Sequence, residues 1–491
     1  MKIIHLSENV RILIVNIIFY NKYTKQIWKN GGWQMKARRL AGLALSVTLA
    51  VSLLLTACSD GGGREAGSAG GSQSAGEEQV TLRFSFWGDT IEKKTITEAL
   101  EHFEQETGIQ VEPMHVPADY LTKLTTMVAG NVAPDLGYLS SGAALSWGAD
   151  GKLLNLATLI DNDPEFKRED YLDQIWYEIA PDHIIGMSTA VEGYGLMYNK
   201  DLLLEAGVEM PPVEAEKAWD WDTFVEYAKK LTFDDQGRNA LDPEFNPDKI
   251  RQYGLQYDPY NMMAAVVSNG GNFLTEDGKE FGLAKPEAIE AIQKLADLMY
   301  VHHVSPTPLQ TKNLPETALQ TKKVAMTVSG NWALQAYGEQ DINLGVGVLP
   351  KLKTSNTLLD GAPTVIFQTT QHPEEAWLLY KYMADPESVL PLIAGGLWMP
   401  LKKEWYSNPE LINQWAAGNK AHPDGYTEAF MVQTIENGIR TPGFEVKNLD
   451  KINALVTPAL DLVWTGKRSA EEALKEVEVK VQPLIEGYYG R

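Results

Sequence analysis

From Val80 onward, β-rich runs alternate with amphipathic segments, and that order leaves few folds open. Val80-Thr81-Leu82-Arg83-Phe84-Ser85-Phe86-Trp87 alternates in polarity and breaks at Gly88-Asp89, the pattern of a strand and its turn. Thr95 to Gly108 carries Ile96, Leu100 and Phe103 at helical spacing, with Glu98, Glu101 and Glu104 outside and a glycine stop. Ile109 to Glu112 reads as the next strand, and Tyr120 to Ala129 as a helix with Leu121, Leu124 and Val128 on one face. Asp135 to Leu139 then reads as a short strand opening into Ser140-Ser141-Gly142. Strand, helix, strand, helix, strand is the signature of an α/β fold with a parallel sheet. Ligands sit at the carboxyl ends of such strands, which places Trp87-Gly88-Asp89 and Ser140-Ser141 on one rim.

The alternation resumes after Ile185. Tyr194 to Asn199 reads as a strand and Lys200 to Ala206 as a helix; Trp219-Asp220-Trp221-Asp222 caps a helix over Thr223 to Leu231. Pro286 to Tyr300 is a long helix with Ala288, Ile292, Leu295 and Leu298 inside, and Val324 to Val328 is a buried strand ending at Ser329-Gly330-Asn331-Trp332. A body of about 410 residues is too large for one hydrophobic core, so two α/β lobes are expected.

The segment before Val80 has a different character. Met35-Lys36-Ala37-Arg38-Arg39 is a basic start, Leu40 to Leu55 an apolar run too short for a comfortable membrane span, and Leu55-Thr56-Ala57-Cys58 its end. Cys58 is the one cysteine of the 491 residues. Its position resembles a bacterial lipobox, in which the signal is cut before the cysteine and the cysteine is lipidated. Two acyl chains would anchor the protein at a membrane far more firmly than one. The second Met, at position 35, opens a complete signal by itself, so residues 1–34 read as a mis-assigned extension, 35–57 as the signal peptide, and 58–79 as the lipidated Cys plus a flexible Gly/Ser tether.

Charge and motif content remove other classes. The 43 basic against 65 acidic residues give a net charge of −22, the opposite of the basic footprint that nucleic acid requires. One cysteine allows neither a disulfide framework nor a Cys-rich zinc site. HExxH, GxSxG and the phosphate-loop pattern are missing from the sequence. Asp161-Asn162-Asp163 and Asp234-Asp235-Gln236-Gly237 hint at calcium loops but lack the closing Glu, which leaves them as turns. No cofactor is expected.

Several segments, in order, resemble the solute-binding proteins of bacterial carbohydrate importers of the ATP-binding-cassette type, the family that includes maltose-binding protein. They are Phe86-Trp87-Gly88, Phe103-Glu104-Gln105-Glu106-Thr107-Gly108-Ile109-Gln110-Val111, Ala133-Pro134-Asp135, Tyr198-Asn199-Lys200-Asp201-Leu202, Val324-Ala325-Met326 with Gly330-Asn331-Trp332, Gly345-Val346-Gly347-Val348-Leu349-Pro350 and His372-Pro373-Glu374-Glu375-Ala376-Trp377. The resemblance implies a two-lobe periplasmic-binding-protein-like fold of type II with the ligand cleft between the lobes. Lobe 1 would comprise residues 80–190 plus about 362–415, and lobe 2 residues 191–361 plus about 416–491, with hinge crossings near Val191-Glu192-Gly193 and Gly361-Ala362. It further implies a monomer, held outside the cytoplasm on the cell membrane by its lipidated Cys, which captures a carbohydrate by hinge closure and passes it to the transmembrane subunits of an importer.

A sugar offers apolar C–H faces and a rim of hydroxyls, so its site needs flat aromatic platforms and polar partners. Trp87, Tyr194, Trp332 and Trp398 follow strand ends or loops that would face the cleft; the family position matching Trp332 usually stacks on a sugar ring. Asp89, Ser140 and Glu192 are candidate hydrogen-bonders, with a cap or turn role as the alternative for each, and Asp360-Gly361 is a candidate lining of the second crossing. Asn261, Asn269 and Asn331 are weaker candidates. Trp147, Trp176, Trp219, Trp221 and Trp377 read as structural. Two other functions remain open on the sequence: an exported carbohydrate-active enzyme, and a lipoprotein that senses sugar through a partner.

Overall fold

Two sheets, each with its own helical cover, organise the chain in a computed structural model that describes residues 79–490 apart from Glu316 and Asn419. The segments expected to form a mis-assigned extension, a signal peptide, a lipidated Cys58 and most of a tether lie outside the described residues. Residues 77–491 form one compact unit.

The first sheet contains β1 (Thr81–Phe86), β2 (Gln110–His115), β3 (Leu136–Tyr138), β4 (Trp176–Ala180) and β5 (His183–Ser188), joined by β12 (Pro363–Ile366) from far along the chain; its order is β2-β1-β3-β12-β5-β4. Strands β1, β2 and β3 are parallel, linked by the helices Thr90–Thr107 and Tyr120–Ala129. β12 runs antiparallel between β3 and β5, pairing Thr364 with Tyr138 on one side and with Met187 on the other. The βαβ start follows from residue choice. Leu82, Phe84 and Phe86 are fully buried on β1, and Ile96, Leu100 and Phe103 form the buried stripe of the first helix.

The second sheet is built from β6 (Glu192–Asn199), β7 (Phe233–Asp234), β8 (Ile250–Tyr257), β9 (Val324–Gly330), β10 (Leu344–Gly347), β11 (Thr357–Asp360) and β13 (Gly438–Arg440). Its order is β13-β11-β6-β9-β8-β7, with β10 also pairing with β6. The helices Pro286–Tyr300, Leu449–Trp464 and Ala470–Val481 pack on one another and share a hydrophobic core with it.

The chain passes between the sheets at three places. Residues 189–191 join β5 to β6, residues 361–362 join β11 to β12, and a third passage lies between the helix Pro409–Trp415 and a helical segment starting at Thr427. The first two are short and laced together: the Thr189 N–H donates to the Ala362 carbonyl at 2.8 Å, and Glu192 pairs with Asp360. The third is filled by rings. Trp415 meets Tyr426 edge-on at 6.0 Å, His422 stacks on Tyr426 at 3.9 Å, and Tyr426 stacks on Phe430 at 5.6 Å. Burial holds His422 neutral down to about pH 4.

Candidate ligand cleft

A cavity of about 490 Å³ opens between the sheets, beside the first two crossings. From the first lobe it takes Trp87, Asp89, Glu92, Tyr138, Ser140 and Ser141; from the crossings Thr189, Glu192, Asp360 and Ala362; from the second lobe Tyr260, Trp332 and Gln335. Leu397 and Trp398 complete the lining.

Trp87 stands one residue beyond β1 and is held edge-on by Tyr120 at 5.1 Å and Tyr138 at 5.2 Å. Tyr120 is fixed in turn, its hydroxyl bonded to Ser85 Oγ and donating to the Tyr138 carbonyl. Asp89 accepts the backbone N–H groups of Ile91 and Glu92 at 2.7 and 2.9 Å. It is therefore the N-cap of the helix Thr90–Thr107, and its exposed carboxylate also borders the cavity. The sequence pattern starts that helix at Thr95; the cap starts it at Thr90, because the polar first turn shows no apolar period. The extra turn carries Glu92 into the cavity wall. Ser140 is exposed at the start of the helix Ser141–Ala149, and its side chain makes no capping bond.

On the second lobe, Trp332 lies across Gly330: a Cβ there would stand 1.9 Å from the ring. The ring packs edge-on against Tyr194 at 5.3 Å. Trp398 contributes a wall although its side chain is buried.

Glu192 and Asp360 are cross-strand partners at the crossings. Like charges directly opposite are unfavourable. Burial, then Asp360, then Glu92 hold the Glu192 carboxyl well above its usual range. Burial first and Asp89 second push Glu92 up to about 8. Asp360 itself is well supplied, accepting from Tyr194 Oη at 3.1 Å, Thr441 Oγ1 at 2.8 Å and the Gly361 N–H at 3.0 Å.

Two expected cleft residues have other positions. Tyr194 is 2% exposed and lies beneath the central cavity, where it props Trp332 and donates to Asp360; it borders a neighbouring cavity instead. Its strand pairs on both flanks, with β9 and β11, so its ring belongs to the floor of the cleft. Gly361 is a backbone device. Its φ of +151° and the Ala190 carbonyl, 2.4 Å from where a Cβ would sit, demand glycine, and its carbonyl accepts from Tyr177 Oη. The three asparagines serve the backbone as well. Asn331 accepts the Gly193 N–H and donates to the Leu397 carbonyl, Asn261 donates to Val328 O, and Asn269 to Glu287 O.

Residues that sequence reasoning passed over are Glu92, Thr189, Tyr260 and Gln335. Tyr260 had a readable signal: Asp258-Pro259 starts a turn whose N-terminal Asp accepts the Tyr260 N–H at 2.8 Å, leaving the ring 75% exposed. The Asp234 loop holds a side-chain cation of its own, with Arg238 Nε on the carboxylate at 2.9 Å. No group of side chains suited to a metal ion occurs among the described residues.

The lining has a definite chemistry. It offers aromatic faces and four carboxyl groups, and among the described residues no lysine, arginine or histidine borders the central cavity. With Glu92 and Glu192 holding their protons at neutral pH, the set both donates and accepts, which matches a ligand with apolar faces and many hydroxyls, and it offers an anion no cation to pair with.

Residues 98–419 match the family model described as bacterial extracellular solute-binding protein. The chain belongs to that family. Two curated relatives are a galactooligosaccharide-binding protein of Bacillus subtilis, 24% identical over 87% of this chain and 93% of its own, and a maltooligosaccharide ABC transporter solute-binding lipoprotein of Streptococcus pneumoniae, 23% identical over 93% of this chain and 99% of its own. Among solved structures, an ABC substrate-binding protein of Listeria monocytogenes in complex with cycloalternan superposes with a TM-score of 0.71 at 22% identity, covering 83% of this chain and 99% of that one. The solute-binding protein thus has the two-lobe α/β fold of the type II periplasmic binding proteins.

Proposed function

We propose that this protein is the receptor of an ABC importer, which captures an uncharged carbohydrate between its lobes and delivers it to the transmembrane subunits. The observation that carries the reading is the cleft lining: Trp87, Trp332, Tyr260 and Trp398 supply apolar faces, and Asp89, Glu92, Glu192 and Asp360 supply carboxyl groups, of which Glu92 and Glu192 keep their protons at neutral pH and so donate as well as accept, with no cation beside them. Sugars are complementary to that set; sugar acids and sugar phosphates are not. Of the sequence candidates, Trp87, Asp89, Ser140, Glu192, Trp332 and Trp398 are the proposed contacts, joined by Glu92 and Tyr260. Tyr194 and Gly361 act behind them. The lipid anchor on Cys58 and residence outside the cytoplasm complete the proposal, supported by the Leu-Thr-Ala-Cys pattern and by a relative described as a lipoprotein.

Closure is a two-state equilibrium that the ligand biases only through contacts made better in the closed form. The short crossings at 189–191 and 361–362 are the segments that would turn.

A thermal-shift screen of the protein against neutral sugars, oligosaccharides and sugar acids tests this. A ligand present at 100 times its Kd adds about 2.7 kcal/mol, a rise of a few degrees in Tm. The expected result is a shift with a neutral glycan that is recovered intact. A shift only with sugar acids refutes the charge argument, and cleavage of the bound glycan refutes the receptor reading in favour of an enzyme.

A further inference from the structure

Tyr138 ends β3, and its side chain borders the central cavity. The ring is fixed on three sides, edge-on to Phe84 at 5.7 Å, Phe86 at 6.2 Å and Trp87 at 5.2 Å. Its backbone is fixed too: the Tyr138 carbonyl accepts from Tyr120 Oη at 2.8 Å, and the residue pairs with Thr364 on β12. Tyr138 is 2% exposed, yet its hydroxyl has no hydrogen-bond partner among the described residues. Among those residues, no other side-chain atom of the cavity lining is both buried and unpartnered.

The neighbouring tyrosines differ. Tyr120 Oη is engaged by Ser85 and the Tyr138 carbonyl, Tyr177 Oη by the Gly361 carbonyl, and Tyr194 Oη by Asp360. A phenylalanine at position 138 would fill the same space among the same rings without stranding a hydroxyl. Buried polar groups are paired as a rule, and each exception calls for a reason. The surroundings supply one. Glu92, Tyr120 and Glu192 are the titratable groups whose charge acts on this hydroxyl, and both carboxyl groups border the cavity. Burial first and Glu92 second hold the phenol well above its usual range, so it stays protonated and able to donate.

We infer that Tyr138 Oη donates to a hydroxyl oxygen of the bound sugar and thereby sets which ring position must carry a hydroxyl. This rests on the carbohydrate reading above and adds to it a residue that determines specificity. A site that pairs a ligand hydroxyl with a buried polar group rejects the analogue lacking it far more strongly than an apolar pocket discriminates by size.

The test is titration calorimetry of the full chain and its Tyr138→Phe variant with neutral gluco-, galacto-, manno-, xylo- and fructo-glycans of one to six units. For each glycan that the wild type binds, the variant should lose about 10-fold or more in affinity, the equivalent of about 1.4 kcal/mol. Its Tm without sugar should stay level or rise, because a stranded hydroxyl has been removed. Tyr120→Phe is the contrast: its hydroxyl is used inside the lobe, and its Tm should fall. Monodeoxy derivatives of the tightest-binding glycan locate the contact. One of them should bind the wild type about 10-fold more weakly than the parent glycan does, and bind Tyr138→Phe as well as the parent does. A folded Tyr138→Phe protein with wild-type affinity overturns the inference and leaves the carbohydrate reading intact. So does a lowered Tm or a failure to fold in Tyr138→Phe, since the hydroxyl would then serve the lobe. Binding by no glycan of any length overturns both.

Discussion

The two walls of the cleft present aromatic surface in opposite ways. On the first lobe, Trp87 is wedged between Tyr120 and Tyr138, and Tyr120 is itself hydrogen-bonded, so the ring is a fixture of the lobe core. On the second lobe, Tyr260 has three quarters of its surface in water and rests on a short turn. Trp332 is intermediate, laid over Gly330 and backed by Tyr194. The difference separates folding from recognition. A ring already packed on its edges has spent part of its apolar surface on the lobe, whereas Tyr260 still has most of its surface to bury against a ligand.

Trp87→Ala is the sharpest way to break the comparison. It should lower stability by about 2–3 kcal/mol, the lower end for loss of a large aromatic because Trp87 is only half-buried, and weaken sugar binding as well. Urea unfolding and calorimetry read the two effects separately. If Trp87→Ala alters binding alone, the walls do not differ. Trp332→Ala comes next: sugar affinity should fall by about 1–3 kcal/mol, the scale of one lost aromatic anchor. Unchanged affinity in a folded variant removes Trp332 from the site.

Glu92 sharpens the comparison through pH. Its carboxyl titrates at about 8 in the fold, against 4.5 ordinarily. Between those values the native state holds a proton that the unfolded chain has released, so Glu92 makes stability fall as pH rises through this window. Glu92→Gln should remove that part of the slope. If stability measured from pH 5 to 8.5 has the same slope in both proteins, Glu92 is not perturbed. The smallest effect belongs to Tyr260→Ala, whose stability should stay within about 0.5 kcal/mol of wild type; a larger loss in urea would show that this wall, too, is part of a core.

The same contrast explains what was legible in the sequence. The bounds of the helices Tyr120–Ala129 and Pro286–Tyr300 were readable to the residue; the second buries the expected stripe of Ala288, Ile292, Leu295 and Leu298, whereas on the first only Leu124 is buried and Leu121, expected on the same face, is exposed. Trp87 and Trp332 were legible as loop residues after strands, a place that topology makes functional. Glu92 was hidden because its helix begins with a turn set by a cap and not by hydrophobic period. Tyr194 misled because a strand with partners on both sides sends alternate residues into the core, and alternation alone does not say which face meets the cleft. Tyr260 depended on a pairing of lobes that local pattern does not encode.

The position of β12 bears on how the chain reaches its destination. This strand lies in the interior of the first sheet, yet its partner Tyr138 precedes Thr364 by most of the second lobe's sequence. The first sheet cannot close until all strands of the second but β13 have been synthesised. Contacts so distant in sequence slow folding, because the loop entropy must be overcome before they form. For the exported lipoprotein proposed above, such a delay keeps the chain unfolded for some time, which is the condition a threaded passage across a membrane requires.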